Sequence, residues 1–245
     1  NYGIIGAEDH AMLIEAISEA FTSDADALVE NSIGCFPLPL GIATNCVING
    51  IPTLIPMATE ETSVIAALSG AGKWVNENKA KILTSQQGKG IRGQVYFRDK
   101  SYFNAINSYL DLNNDALISD LNTRVVPSMK QRGGGVFSLE SRLIQKNSIT
   151  DELLAVDICM DCCEAMGANL ICQVAEALKA IISRNIGVVG DIAIVSNLSD
   201  CQTTTATLVI PNVSGEFAEK IVAANNIAKS DLYRAVTHNK GILNG

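Results

Sequence analysis

Between residues 94 and 195 the apolar residues alternate between the two-residue spacing of a strand and the roughly 3.6-residue spacing of a helix. That order restricts the topologies open to this chain more than any other feature. Gln94–Phe97 reads as a short strand, and Tyr102–Val125 as a helix with a break expected at Asn113 and Asn114. Gly133–Ile144 is a strand after a triple-glycine turn, and Leu153–Met160 is another. Glu164–Arg184 is a long amphipathic helix with Ile171, Val174, Leu178 and Ile181 on one face, and Gly187–Val195 is a last strand. The series β-α-β-β-α-β is a split βαβ arrangement.

The flanks read differently. Residues 8–22 have helical spacing, and 24–31 form a second short helix. Ser32–Gly41 holds two prolines and two glycines in an apolar stretch, so it is a loop that needs something to pack against. Asn49-Gly50 between apolar runs marks a hairpin over Asn45–Pro56. Thr59–Asn76 reads as a helix with Thr59 as N-cap and Glu60 and Glu61 in its first turn. Residues 203–211 form a strand and 214–236 a helix. There is no internal repeat and no low-complexity linker. The expected fold is α+β: a ferredoxin-like (βαββαβ) small domain over 86–196, inserted into a helix-rich large domain made of 1–85 and 197–245.

Composition narrows the function. A net charge of −8 without basic runs argues against binding a nucleic-acid backbone. No apolar run approaches the roughly 20 residues of a membrane helix. Seven cysteines, an odd number in a chain of this size, fit reduced thiols better than a disulfide scaffold. Cys159-x-x-Cys162 with Cys163 and Cys172 lacks a second ligand pair, and His10 and His238 are far away, so no metal is expected. The sequons at Asn197 and Asn212 are chance-level signals. The sequence starts at Asn1 rather than Met and stops at Gly245, so both ends read as cut.

Five phrases could carry chemistry. Gly88-x-Gly90-x-x-Gly93 matches the dinucleotide fingerprint as a string, but a strand follows it instead of a helix, so it reads as an inter-domain turn. Gly70-Ala71-Gly72-Lys73 lacks the first Gly and the Ser/Thr of a P-loop. Glu164-Ala165-Met166-Gly167-Ala168-Asn169 opens a helix, where free N–H groups favour an anion; the alternative is ordinary small-residue packing. Glu60-Glu61 is either dipole complementation or a source of an inward-facing acid or base. Tyr233–Gly245 places Arg234, His238 and Lys240 together in an acidic chain. Arg suits a carboxylate and Lys an oxyanion, while a cation-decorated helix end is the alternative.

Together these phrases resemble class II 3-hydroxy-3-methylglutaryl-CoA (HMG-CoA) reductase. The matching stretches are Glu30–Gly34, Pro39–Asn45, Ile55–Glu61, Glu164–Asn169, Ser196–Leu198 and Tyr233–Gly241, in family order across nearly the whole chain. The resemblance implies a cytoplasmic enzyme of mevalonate and isoprenoid metabolism. It implies two hydride transfers that reduce HMG-CoA to mevalonate and CoA, or the reverse. It makes Glu61 the catalytic acid and Lys240 the oxyanion stabiliser, with Ser63, Arg234 and Asn244 holding the substrate. Glu164, Ala165, Met166, Gly167, Asn169 and Asn197 would contact the nicotinamide cofactor. It also implies a homodimer, or a larger assembly of dimers, with active sites between subunits and the apolar Pro37–Ile42 loop at the interface.

Three departures bear on this. The cofactor loop opens with Glu164 where the family usually has Asp. NADH-using members carry an acid about seven positions before the triple glycine; here Val126 stands there with Arg124, Lys130 and Arg132 nearby, which favours NADPH over NADH. The family's Asp after the Lys phrase and its C-terminal His are not in these residues, so the chain reads as lacking the family's C-terminal part. The alternative function is a truncated, non-catalytic homologue that binds CoA or a nucleotide.

Overall fold

The computed structural model describes Glu8, residues 27–32 and residues 36–244. The expected helix over 8–22, apart from Glu8, lies outside the described residues, as do 24–26 of the one expected over 24–31; Ala27 and Leu28 are helical and the chain turns over 29–31. The described chain runs β1 (Leu40–Ile48), β2 (Ile51–Ala58), α1 (Val64–Glu77), β3 (Lys81–Gly88), β4 (Ile91–Phe97), a 3-10 turn, α2 (Phe103–Arg124) and α3 (Pro127–Gln131). It continues through β5 (Gly135–Ile144), β6 (Leu153–Asp161), α4 (Ala168–Ile186), β7 (Ile192–Ser196), β8 (Gln202–Val209), α5 (Gly215–Ser230) and α6 (Leu232–Asn244). It divides into two compact units, residues 1–83 with 207–245, and residues 84–206.

In the second unit the sheet order is β5-β6-β4-β7 and every neighbouring pair is antiparallel. The strands and helices follow the β-α-β-β-α-β order. Their side chains alternate, so Val95, Phe97, Val156 and Ile158 point to the covered face. There they meet Ile106, Leu110, Leu117 and Leu121 of α2 and Ile171, Val174, Leu178 and Ile182 of α4 in one core. Each such side chain contributes about 1.5–3 kcal/mol by leaving water. Asn113 and Asn114 do not break α2. Their amides donate to the Tyr109 and Leu139 carbonyls, and the helix continues to Arg124. The buried Asn122 amide bonds both the carbonyl and the N–H of Val136, each at 2.8 Å, tying α2 to the start of β5.

In the first unit, β1 and β2 form the expected hairpin, with Ile48 opposite Ile51. Asn49 and Gly50 both have positive φ, 51° and 81°, as a tight primed turn requires. The hairpin starts at Leu40, so the end of the expected 32–41 loop is strand. On its other side β1 pairs in parallel with the start of β3, Ile48 opposite Ile82.

Other boundaries move for local reasons. The helix expected from Thr59 begins at Val64, because Thr59 Oγ1 accepts the Glu61 N–H and Ser63 adopts φ 71°. The helix expected from Glu164 begins at Ala168 after Gly167, at φ 82°. The strand expected from Gly187 begins at Ile192, and the triple glycine delays β5 to Gly135. The helix expected over 214–236 is two helices. Asp231 ends α5 in an extended conformation, and its carboxylate accepts the Arg234 N–H in α6. The Gly88–Gly93 string forms the β3–β4 turn and the start of β4. Among the described residues no helix is long and apolar enough to cross a membrane.

Leu178→Ala should destabilise the protein by about 2–5 kcal/mol, through lost burial and a cavity. Leu112→Ala, on the exposed side of α2, should change stability by no more than about 0.5 kcal/mol. Urea unfolding midpoints check both, and equal midpoints would contradict the core assignment.

Candidate functional site

In the first unit, the β1–β2 hairpin delivers the chain to a turn over 59–63. The Thr59 N–H donates to Pro39 O at 3.1 Å, and Thr59 Oγ1 accepts the Glu61 N–H at 3.1 Å. Helix α1 is anchored to β1: Thr44 N–H donates to Ser69 Oγ at 3.0 Å, and Asn76 Nδ2 to Asn45 O at 2.8 Å. Glu61 is thus held between a hairpin end and a helix start. Lys240 and Asn244 lie one turn apart on α6. Both donate to Oε2 of Glu61.

Lys240 holds the Glu61 carboxyl below its ordinary range, first by that hydrogen bond and then by its charge. Partial desolvation opposes this, and the Asn244 amide adds a smaller downward push. Glu61 is therefore a carboxylate at neutral pH. Of the expected substrate residues, Asn244 joins this cluster. Ser63 is an exposed, left-handed residue at the α1 start. Arg234 is exposed and lies about 120° round α6 from Lys240. Neither donates to Glu61.

In the second unit, strand register gathers the other expected residues at one end of the sheet. Gly135 lies opposite Asp161, Ile91 opposite Met160, and Arg92 opposite Ser196. The triple glycine, the loop after β6 and Asn197 therefore leave the sheet at the same end. In that loop Ala165 N–H donates to Cys162 O at 2.9 Å, while Glu164, Ala165 and Met166 are exposed. Gly167 opens α4 with no side chain capping its first N–H groups. A Cβ at this position would lie 2.1 Å from Cys162 Sγ, so the close turn requires glycine. Asn169 is exposed in the first turn of α4, and Asn197 is exposed after β7. Asp161 is held below its ordinary range by Lys89, 2.9 Å away, and then by the Cys163 N–H. Cys159 and Cys162 do not converge as ligands: the Cys162 thiol donates to Met160 O, and Cys159 faces Cys201.

The open face of this sheet holds a polar cluster that sequence reasoning missed. The buried Asp157 accepts from Gln94 at 2.7 Å and Arg142 at 3.1 Å, and pairs with Arg92 at 3.5 Å. Arg92 also pairs with Asp200, and Tyr96 donates to Gln94. These groups line a cleft of about 640 Å³. The signal was present as Arg92, Gln94 and Tyr96 at every second position of β4.

Comparison with known proteins shows the family of the chain. The sequence profile of the family described as Hydroxymethylglutaryl-coenzyme A reductase matches residues 6–245. The 3-hydroxy-3-methylglutaryl-coenzyme A reductase of Archaeoglobus fulgidus is 37% identical over 224 residues, covering 90% of this chain and 50% of that protein. A probable reductase of the same name from Borreliella burgdorferi is 34% identical, covering 89% and 50%. The class II reductase from Streptococcus pneumoniae, solved bound to NADPH in open conformations, is 29% identical with a TM-score of 0.81. That match covers 98% of this chain and 70% of the solved one. The chain spans about half the length of the curated relatives it matches. With the family profile over nearly all its residues and the fold of a solved member, the chain belongs to the hydroxymethylglutaryl-CoA reductase family.

Proposed function

We propose that this protein is an NAD(P)H-dependent oxidoreductase that reduces HMG-CoA to mevalonate and CoA in two steps, or runs that reaction in reverse. The cluster of Glu61, Lys240 and Asn244 carries the reading. A thioester carbonyl that gains hydride becomes an oxyanion, and a compact ammonium such as Lys240 stabilises that charge. Glu61 is the proton-handling group. Paired with Lys240 it is ionised, and an oxyanion beside Lys240 offsets the ammonium charge and makes Glu61 easier to protonate. Asn244 fixes the carboxylate's direction. Ser63 and Arg234 supply donors for the substrate's hydroxyl and carboxylate.

A nicotinamide cofactor supplies the hydride when bound. The end of the sheet in the second unit fits such a group: Glu164–Asn169 presents the uncapped N–H groups of α4, and Asn197 leaves the sheet at the same end. NADPH is the favoured form. Val126 is 1% exposed and part of the core, so no acid stands there to repel a 2′-phosphate, while Lys130 and Arg132 are exposed nearby. The Streptococcus pneumoniae relative was solved with NADPH.

The partner is a second copy of the chain. Leu40 is 73% exposed and Ile42, Ile51 and Leu54 of the hairpin are exposed with it, an apolar surface that association would cover. A cytoplasmic location accords with this chemistry.

Lys240→Met should lower kcat for HMG-CoA-dependent NADPH oxidation by about 10²–10³-fold. It should also raise the Glu61 pKa, because the group that lowers it is gone, and carboxyl NMR titration reads that shift. An unchanged kcat in the variant would refute the role. A wild-type protein that binds CoA or nucleotide without turnover would point to a non-catalytic homologue. The ratio of kcat/KM for NADPH over NADH should exceed one, and a clear NADH preference would reverse the cofactor reading. Leu40→Asp should shift sedimentation towards the monomer; an unchanged profile would place the interface elsewhere.

A further inference from the structure

We propose that Cys159 and Cys201 form a reversible disulfide that fastens the 197–201 loop onto β6. Cys159 lies on the open face of the sheet, and Cys201 ends the loop between β7 and β8. Their sulfurs approach to 2.6 Å although 42 residues separate them. Both are partly accessible, so a small reagent can reach them. The other described thiols with recorded partners face backbone carbonyls: Cys46 that of Thr44, Cys162 that of Met160, and Cys163 that of Arg132.

The surroundings hold the pair in place. Arg92 on β4 reaches Asp200, the residue beside Cys201, at 2.9 Å. Gly90 N–H donates to the Gln202 side chain at 3.1 Å. The loop is therefore pinned on both sides of Cys201 before any bond forms, which removes most of the ordering cost of closing the bridge. The Arg92 guanidinium also favours a thiolate at Cys159, against the burial that opposes it.

The oxidant is a small-molecule disulfide such as oxidised glutathione. The Cys201 thiolate attacks one of its sulfurs, forming a mixed disulfide and releasing one glutathione thiolate. The Cys159 thiolate then attacks the Cys201 sulfur, forming the internal bond and releasing the second. Each released thiolate takes up the proton its cysteine gave up. Two protein thiols are oxidised by two electrons, and one disulfide is reduced to two thiols. Cys201 stands on the loop while Cys159 sits within β6, so Cys201 is the first attacker and Cys159 the resolving group; burial, then the contact with Cys201, push the Cys159 thiol up.

The experiment treats the purified protein with oxidised glutathione under native conditions, then alkylates it and maps its peptides without reduction. The expected result is the loss of two alkylatable thiols, a joined Cys159–Cys201 peptide pair, and reversal by dithiothreitol. Amide exchange over residues 197–201 should slow by about tenfold in the oxidised form. In Cys159→Ser, Cys201 should stop at the glutathione adduct. Two thiols that stay alkylatable, pairing of either with another cysteine, or unchanged exchange in the loop would each overturn the proposal.

Discussion

Strand β4 is paired on both sides, with β6 along one edge and β7 along the other, and the second unit depends on that double pairing. Seven residues of β4 face seven of β6, so a slip by one residue would turn Val95 and Phe97 out of the core and Arg92, Gln94 and Tyr96 into it. The cost of burying a guanidinium against α2 and α4 forbids that slip. With the register held, the chain leaves β6 and β7 at the same end of the sheet. The triple glycine enters there too. A set of loop residues far apart in the chain becomes one surface because the strands that carry them cannot slide.

In the first unit polar contacts hold Glu61 in place. Among that unit's described residues the buried apolar side chains are Ala43, Cys46, Met57 and Val75 of the hairpin and α1, and Ala228 of α5. Glu61 is fixed by the Thr59 hydroxyl on one side and by two donors of α6 on the other. The break at Asp231 sets the course of that helix: by closing α5 and capping α6, it starts a new axis on which Lys240 and Asn244 share a face. A single helix from 214 to 236 would end before either residue.

Much of the second unit was legible in the sequence. Apolar period depends only on near neighbours, and the one-sided face of α4 announces itself, while α2 carries the same spacing more weakly. The hairpin at Asn49-Gly50 was legible for the same reason, since a primed turn needs two residues that tolerate positive φ. Element starts were less so. Thr59 looks like an N-cap, yet its hydroxyl serves the Glu61 N–H in a turn, and the left-handed Ser63 delays the helix. Both uses satisfy a backbone donor, and composition does not separate them. Asn113 and Asn114 looked like a break because their amides compete with the helix backbone. The Leu139 carbonyl of β5 gives the Asn114 amide another partner.

By itself the sequence determined the order of the main strands and helices between 94 and 195, the hairpin turn, and the family phrases around Glu61, Glu164–Asn169 and Lys240. Each of these is written in residues a few positions apart. Tertiary structure alone decided that Lys240 and Asn244 meet Glu61 across 179 and 183 residues. It alone placed Asp157 among Gln94, Arg92 and Arg142, and set Cys159 against Cys201. Such meetings depend on which strands pair and which helix faces are buried, and those are properties of the whole packed chain. Charge and thiol chemistry are local, but the partner that shifts a pKa or accepts a proton is supplied by the fold.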